Sequence, residues 1–415
     1  MDVYLVGGAV RDQLLNLSIK DKDWVVVGST SETLIKKGYK QVGKEFPVFI
    51  HPKTYEEYAL ARTEIKSGLG YHGFKINFSS KVTLEEDLIR RDLTINAIAQ
   101  DKNGNYIDPF HGRKDLFLGI LRHISDSFKE DPLRVLRVAR FAAELSYLGF
   151  YIAKKTMFLM TEMVSNQELS YLTSERIWKE TEKALITSHP HVYFQTLRYC
   201  RALSVVFPEI DQLYSVYFTK FFHNKIIDMS KYVFIGLAKI SQVSKEIDIR
   251  FSCLCQLLSK SIVPYNDNNR YTFYNYLAAS FVRNMCIRLR VPSSIRDLAV
   301  FISGFNDFLY EIVFHNAQSI VIFFDYIDAW RKPEIVHKLA LLINIYYALN
   351  CSIVVDNKTP GENLKNMFTM ANSVSIKTVV ASGFKGMGIR IEVTRLRIIL
   401  IEQWIISFFS QQNEN

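Results

Sequence analysis

Glycine is spread unevenly along this 415-residue chain: 11 of its 18 glycines fall by position 119. Glycine serves tight turns and close backbone approaches and weakens helix interiors, so the two parts of the chain do not share one fold class. Before 120, short β-prone runs at 3–6, 24–27, 47–50 and 57–60 alternate with turn signals at Gly7-Gly8, 20–22, 51–54 and Asn103-Gly104. This pattern predicts a mixed α/β head built on a small sheet. From about 130 the apolar positions recur near the helical period: Leu133, Leu136, Val138, Phe141 and Ala142, then again within 155–185, 192–206 and 230–262. The expected architecture is an α/β head followed by an all-helical remainder, with boundaries near 140, 215 and 330.

Hydrophobic residues make up 48% of the chain and charged residues 22%, which excludes wholesale disorder. The five cysteines (Cys200, Cys253, Cys255, Cys286, Cys351) are odd in number and form no C-x-x-C. That argues against a disulfide scaffold and a cysteine zinc site, and it fits a reducing cytoplasm. The opening residues carry Asp2 and Arg11-Asp12 around a short apolar run, unlike a signal peptide. Residues 339–355 are uncharged but contain Asn344, Asn350 and Ser352 and are short for a bilayer, so a buried helix and no membrane partner are expected. The net charge of +9 permits a polyanionic partner.

Five constellations carry chemistry. Gly7-Gly8-Ala9-Val10-Arg11-Asp12 follows the first apolar run. Glycines at a strand-to-helix turn let backbone N–H groups approach a phosphate, and Arg11 can reach the same anion. The spacing matches neither the dinucleotide-binding nor the P-loop fingerprint, and a Gly-Gly pair alone is compatible with an ordinary turn. Asp21-Lys22-Asp23 stands at the mouth of the next β-run. Residues i and i+2 share a strand face, so the two carboxylates suit a hard divalent cation, or equally a solvated loop. A third carboxylate should come from a neighbouring strand; Glu57 is the candidate and Glu64 the runner-up. Arg90-Arg91-Asp92, ahead of an expected apolar helix, can set a cation on phosphate and a carboxylate on a ribose hydroxyl, or simply cap a surface helix. In Glu130-Asp131-Pro132-Leu133-Arg134, the acids and Pro132 suit a helix start. Arg134, Arg137 and Arg140 follow along that helix, either as a solvated face or as a reader of base edges.

In this order the pieces resemble the five motifs of the class II tRNA nucleotidyltransferases, the CCA-adding enzymes, which are related to bacterial poly(A) polymerases. The matching residues are Gly7-Gly8-x-x-Arg11-Asp12 with Asp21-x-Asp23, Arg90-Arg91-Asp92-x-Thr94-x-Asn96-Ala97, and Asp108-Pro109-Phe110-x-Gly112-x-x-Asp115-Leu116. Glu130-Asp131-x-x-Arg134 and Glu175-Arg176-Ile177-Trp178-x-Glu180 complete the set. The likeness to the multifunctional gammaproteobacterial type continues through residues 328–333 and Gly383-Phe384-Lys385-Gly386.

The resemblance implies a nucleotidyltransferase head at 1–140, a helical neck at 141–215, an HD-like helical domain at 216–330 and a tRNA-binding tail at 331–415. It implies that Gly8 and Arg11 contact the triphosphate and that Asp21 and Asp23 bind Mg²⁺. Arg91, Arg137 and Arg140 would bind the nucleotide, and Asp92 would face the ribose. Asp131 and Arg134 would read the Watson–Crick edges of CTP and then ATP. Cytosine and adenine both set an exocyclic amine beside a ring nitrogen acceptor, so one Asp–Arg pair can accept both. The partners implied are tRNA, held by its acceptor and TΨC arms, together with CTP and ATP; a monomer and a homodimer are both open. A poly(A) polymerase shares the head motifs, and a non-catalytic tRNA-binding protein is the third reading.

The chain departs from the resemblance in the HD region. None of its nine histidines is followed by Asp. The run that should carry a metal-ligating His-Asp pair reads Cys255-Gln256-Leu257-Leu258-Ser259-Lys260, and residues 266–274 contain no histidine; only His223 remains near an expected ligand position. The expectation is a helical scaffold without phosphohydrolase activity.

Overall fold

In the computed structural model, which describes residues 1–19, 21–43, 47–66, 74–219, 226–261, 275–350 and 359–413, the first apolar run forms strand β1 (Asp2–Val6). It turns at Gly7 into helix α1 (Gly8–Leu14). Next come β2 (Asp23–Val27), α2 (Ser31–Lys36), β3 (Lys40–Val42), β4 (Val48–Ile50) and β5 (Glu57–Leu60). The chain continues through the hairpin β6 (Thr63–Lys66) and β7 (Phe74–Asn77), then α3 (Leu84–Ile89), β8 (Ala99–Gln100) and β9 (Tyr106–Ile107). Among the described residues the main sheet runs β3-β4-β5-β2-β1-β8-β9. β2 lies parallel to β5 and antiparallel to β1, so the sheet is mixed.

Successive residues of β2 serve opposite faces of this sheet. Val25 packs with Val6, Ala61, Val82, Leu88, Ala97 and Ala99. Val26 packs with Leu34, Phe49, Tyr58 and Leu60. Burying one such valine stabilises the fold by roughly 2 kcal/mol, so a one-residue slip of β2 would be heavily penalised. The register is thereby pinned, and it places the carboxylates described below.

Residues 90–97 differ from expectation. Arg90 is the C-terminal cap of α3, which starts with a Thr83–Glu86 capping box. No apolar helix follows; Thr94–Asn96 makes a single 3₁₀ turn. Local polar groups capture the backbone instead. Asp92 accepts from the N–H of Leu93 at 2.8 Å, and the N–H of Thr94 donates to the carbonyl of Arg122 at 2.9 Å. Gly112 closes this corner: a Cβ there would lie 2.2 Å from the Thr94 carbonyl oxygen.

Helix α4 (Gly112–Leu118) and β10 (Ile120–Leu121) lead to α5 (Leu133–Leu145). Ten of the thirteen α5 residues are buried, leaving Arg137, Arg140 and Glu144 partly exposed along one edge. After β11 (Tyr151–Ile152) come α6 (Lys154–Ser165), α7 (Ser174–Ile186), α8 (Pro190–Tyr199) and α9 (Leu203–Val206). The expected boundary at 140 falls inside α5, so this helix belongs to the head and to the helices that follow it. The described residues form two compact units, Met1–Phe207 and Pro208–Asn415.

Among the described residues the second unit is helical apart from the paired strands β12 (Tyr217–Thr219) and β13 (Ile226–Asp228). Its helices are α10 (Pro208–Asp211), α11 (Met229–Val243), α12 (Ile247–Cys255), α13 (Tyr276–Arg288), α14 (Ser293–Tyr310) and α15 (Ala317–Tyr326). They continue with α16 (Glu334–Asn350), α17 (Pro360–Asn372), α18 (Ile376–Ala381) and α19 (Met387–Asn413). Phe305, Phe308, Phe323 and Phe324 are fully buried at its centre. The uncharged run lies in α16 as far as residue 350, the rest of it being outside the described residues, and among the described residues no helix is long and apolar enough to cross a membrane.

Candidate active site

The site begins at one end of the main sheet. Asp23 opens β2, with Val6 as its register partner on β1 and Glu57 on β5. Glu57, the expected third carboxylate, therefore stands beside Asp23. The residue after Val6 is Gly7, whose φ of +73° strains any side-chain-bearing residue. A Cβ at Gly7 would also lie 3.1 Å from Nη1 of Arg91. Gly8 and Arg91 are thus beside the end of β2 through the Gly7 turn. Asp21 and Asp23 are both exposed. Partial desolvation raises the Asp23 carboxyl above its ordinary value; Arg91 opposes that, Asp21 adds to it, and Arg137 opposes it.

These donors fit a hard divalent cation: two oxygen-bearing groups, close enough to repel, open to solvent on one side. Among the described residues no three His, Cys, Asp or Glu side chains converge closely enough to hold an ion by themselves. Two carboxylates with the remaining positions left to water and substrate phosphate is the usual arrangement for Mg²⁺. Glu64 lies on β6, in the separate hairpin.

Behind this edge lies a network of arginines and their counter-ions. Arg137 donates through Nε to Oδ2 of Asp92 at 2.7 Å, and Asn96 donates to Oδ1 of Asp92 at 3.0 Å. Burial alone would raise the Asp92 carboxyl; Arg137 and Asn96 outweigh it and hold the group far below the ordinary carboxylate range. Asp92 in turn holds the Arg137 guanidinium above its ordinary value. Asn96 also accepts from Nη1 of Arg11 at 3.2 Å, linking Arg11 to Asp92 through one amide. Arg11 is buried and pairs with Asp12 at 2.7 Å. Arg140 donates to Glu180 at 2.7 Å and to Glu144 at 3.0 Å. Arg11, Arg137 and Arg140 all face the ring of Phe141, at 5.2, 5.7 and 4.1 Å from its centroid.

Asp131 and Arg134 each engage other partners. Asp131 accepts from the N–H of Leu133 at 3.1 Å, capping α5, and from Arg176 on α7 at 2.8 Å. Arg134 is buried and donates to the carbonyls of Ser127, at 2.7 Å, and Arg90.

Sequence reasoning missed four members of this network. Asp87 is inaccessible to solvent and accepts from Arg90 at 2.6 Å and Arg91 at 3.1 Å. Burial would raise it, but the two guanidiniums outweigh burial and lower it. Its spacing of three and four from the arginines on a helix was a readable signal. Glu144 and Arg176 carry an i,i+4 relation and a motif position respectively, but their partners could not be assigned. Asn96 was read only as a motif letter.

In the second unit, Gln256 is buried and donates to Oδ1 of Asn306 at 2.9 Å, while its own carbonyl oxygen has no hydrogen-bond partner among the described residues. Lys260 pairs with Asp307 at 3.0 Å. Leu257 and Leu258 are buried. His223 and residues 266–274 lie outside the described residues.

Two family models match the chain: one described as the poly A polymerase head domain over residues 3–122, and one as a probable RNA and SrmB-binding site of polymerase A over 149–214. A CCA-adding enzyme of Buchnera aphidicola subsp. Acyrthosiphon pisum is 54% identical over 413 residues, covering 98% of each chain. Among solved structures, the Bacillus stearothermophilus CCA-adding enzyme in complex with CTP superposes with a TM-score of 0.61 at 21% identity, over 100% of this chain and 95% of that one. The Thermotoga maritima CCA-adding enzyme complexed with tRNA gives 0.58 at 18% identity, over 98% and 91%. At those identities the structures speak for the fold alone.

Proposed function

The chain belongs to the class II CCA-adding enzymes, and on that premise we propose that it adds C, C and A to the 3′ end of tRNA from CTP and ATP, without a nucleic-acid template, and so completes and repairs tRNA ends in the cytoplasm. The observation that supports this most is the alignment of Asp23 between the Gly7-Gly8 turn and Glu57 at one sheet end. It sets carboxylates for a cation beside backbone N–H groups for a phosphate.

In this reading the N–H groups at Gly8 and the Arg11 guanidinium take the triphosphate. Arg91, Arg137 and Arg140 spread positive charge over the rest of the nucleotide, and Asp92, fixed by Arg137 and Asn96, accepts from the ribose hydroxyls. Asp21 and Asp23, with Glu57 as the third candidate, would hold two Mg²⁺ ions. Bound there, Mg²⁺ supplies the charge that activates the tRNA 3′-hydroxyl and neutralises the leaving pyrophosphate. The side chains orient the α-phosphate for in-line attack by that hydroxyl, and the P–O bond to pyrophosphate breaks. Asp131 and Arg134 select the base. To do so they must exchange Arg176 and the Ser127 and Arg90 carbonyls for the edge of cytosine or adenine. Guanine and uracil set acceptors against Asp131 and donors against Arg134, and are rejected.

The HD-like region acts in this reading as a scaffold. Gln256 and Leu257 stand where metal ligands would be needed, and Gln256 is engaged with Asn306. The tail and neck hold tRNA by shape and phosphate contacts, which the net charge of +9 favours.

The test is incubation of purified protein with a tRNA lacking its 3′ CCA, with Mg²⁺, CTP and ATP, beside Asp21→Ala/Asp23→Ala. Extension by three nucleotides, lost by at least about a thousandfold in the variant, is the expected result. A long A tail independent of CTP would assign a poly(A) polymerase, and bound tRNA without extension would leave only a binding protein. The same preparation should not hydrolyse a 2′,3′-cyclic phosphate with any added divalent metal.

A further inference from the structure

Among the described residues three carboxylates touch Arg11, proposed for the triphosphate, or Arg140, proposed for the rest of the nucleotide, and they are not equivalent. Asp12 pairs with Arg11, and Glu180 takes Nε of Arg140 from the neighbouring helix α7. Glu144 reaches both arginines: Oε1 is 3.6 Å from Nη2 of Arg11 and Oε2 is 3.0 Å from Nη1 of Arg140. The side chain of Glu144 keeps 30% of its surface in solvent, against 16% for Asp12 and 5% for Glu180. Glu144 thus lies on the solvent side of the two arginines, across terminal nitrogens that an incoming anion would use. Because it is the best hydrated of the three, it also loses least by leaving them.

We infer that Glu144 is an internal counter-anion of the nucleotide pocket. In the empty site it neutralises Arg11 and Arg140 and limits their mutual repulsion around Phe141. The triphosphate of CTP or ATP must displace it, so Glu144 weakens nucleotide binding. By the same competition it speeds the escape of pyrophosphate after transfer. No bond is made or broken; one carboxylate trades places with phosphate oxygens. This inference rests on the proposed reading of Arg11 as a triphosphate ligand and of Arg140 as a further nucleotide ligand.

The experiment compares the intact enzyme with Glu144→Gln, which keeps the size but removes the charge and turns one acceptor oxygen into a donor. Equilibrium binding of CTP and of inorganic tripolyphosphate is measured at fixed Mg²⁺ and ionic strength, and KM and kcat for CTP in parallel. The expected result is tighter binding of both probes by about threefold to tenfold, the range for a partly hydrated ion pair, with KM lowered and kcat unchanged or reduced. Equal or weaker binding would overturn the inference, as would a rise in KM together with a fall in kcat, the pattern of a purely structural residue. If Glu144→Gln does not fold, Glu144→Ala carries the same expectation. Glu162→Gln, whose carboxylate instead pairs with Lys129, should bind as the parent does. Arg11→Gln separates the two levels. If it binds CTP as the parent does, the reading of Arg11 falls. If it binds weakly while Glu144→Gln gains nothing, only the role of Glu144 falls.

Discussion

In the first unit the buried polar side chains include Arg11, Asp87, Asp92, Asp115, Arg134 and Glu180; in the second, among the described residues, they are mostly serines with Gln256 and Asn363, and the buried charge is Arg250. Arg250 donates to the carbonyls of Ser244 and Ser241 and so serves the backbone. In the first unit, by contrast, carboxylates and guanidiniums meet each other. Buried ion pairs are weak as stabilising devices, because desolvation offsets most of the attraction. Both units bury phenylalanines, so what separates them is buried charge, which gathers where a charged substrate is to be met.

The difference can be broken at its strongest point by removing Arg137. Asp92 is 4% exposed and Arg137 35%, so the two halves of the pair are not equally costly to orphan. Arg137→Gln, which strands the buried carboxylate, should cost about 3 kcal/mol in denaturant unfolding. Asp92→Asn leaves an arginine that water can still reach and should cost roughly 1–2 kcal/mol less. Equal losses would mean that Asp92 is not held by charge.

Acid should separate the two units next. Asp87 and Asp92 both have lowered values in the fold. A depressed carboxylate stabilises the native state fully above its unfolded value, about 4, and loses that contribution as pH falls through the folded value. His123 and His191 in the first unit are held below their ordinary value, chiefly by burial, as is His315 in the second. These stabilise above the unfolded histidine value, near 6.5, and lose that contribution as pH falls. Hydrogen exchange should therefore report opening of residues 1–207 before the second unit as pH drops below about 4. Simultaneous opening would erase the contrast.

The smallest effect is expected at Gln256. Its carbonyl oxygen is buried without a partner among the described residues, so Gln256→Leu removes an unsatisfied group and adds apolar contact, at the loss of one hydrogen bond to Asn306. Stability should change by less than about 1 kcal/mol in either direction. A loss beyond 2 kcal/mol would show the second unit depending on polar pairing as the first does.

How legible this was follows sequence distance. β5 was bounded correctly because Glu57–Leu60 sits between clear turn signals, and its pairing with β2 followed once the register was pinned by Val25 and Val26. The glycine turn and the two aspartates were readable because chain neighbours supply their geometry. Residues 90–97 were misread as a helix start. The apolar letters Leu93, Ile95 and Ala97 fit one, but capture of the Leu93 N–H by Asp92 and of the Thr94 N–H by the distant Arg122 carbonyl decided otherwise. The counter-ions were the least legible part. Arg140 and Glu180, or Asp131 and Arg176, are each about forty residues apart, and each letter alone reads as a solvated charge.

Helix α5 runs unbroken from the residue after Pro132 to Leu145, and it carries Arg134, Arg137, Arg140 and Glu144 on one rigid rod. Each helical residue advances the rod by about 1.5 Å and turns it by about 100°. One codon inserted or lost between Arg134 and Arg140 would therefore swing everything on one side of it by more than a quarter turn. Arg140 and Phe141 would swing together, away from Glu180 and Arg11, and the buried flank would face water. Over evolutionary time this stretch should tolerate exchange of letters and almost no change in their number, while the loops at either end remain free to lengthen.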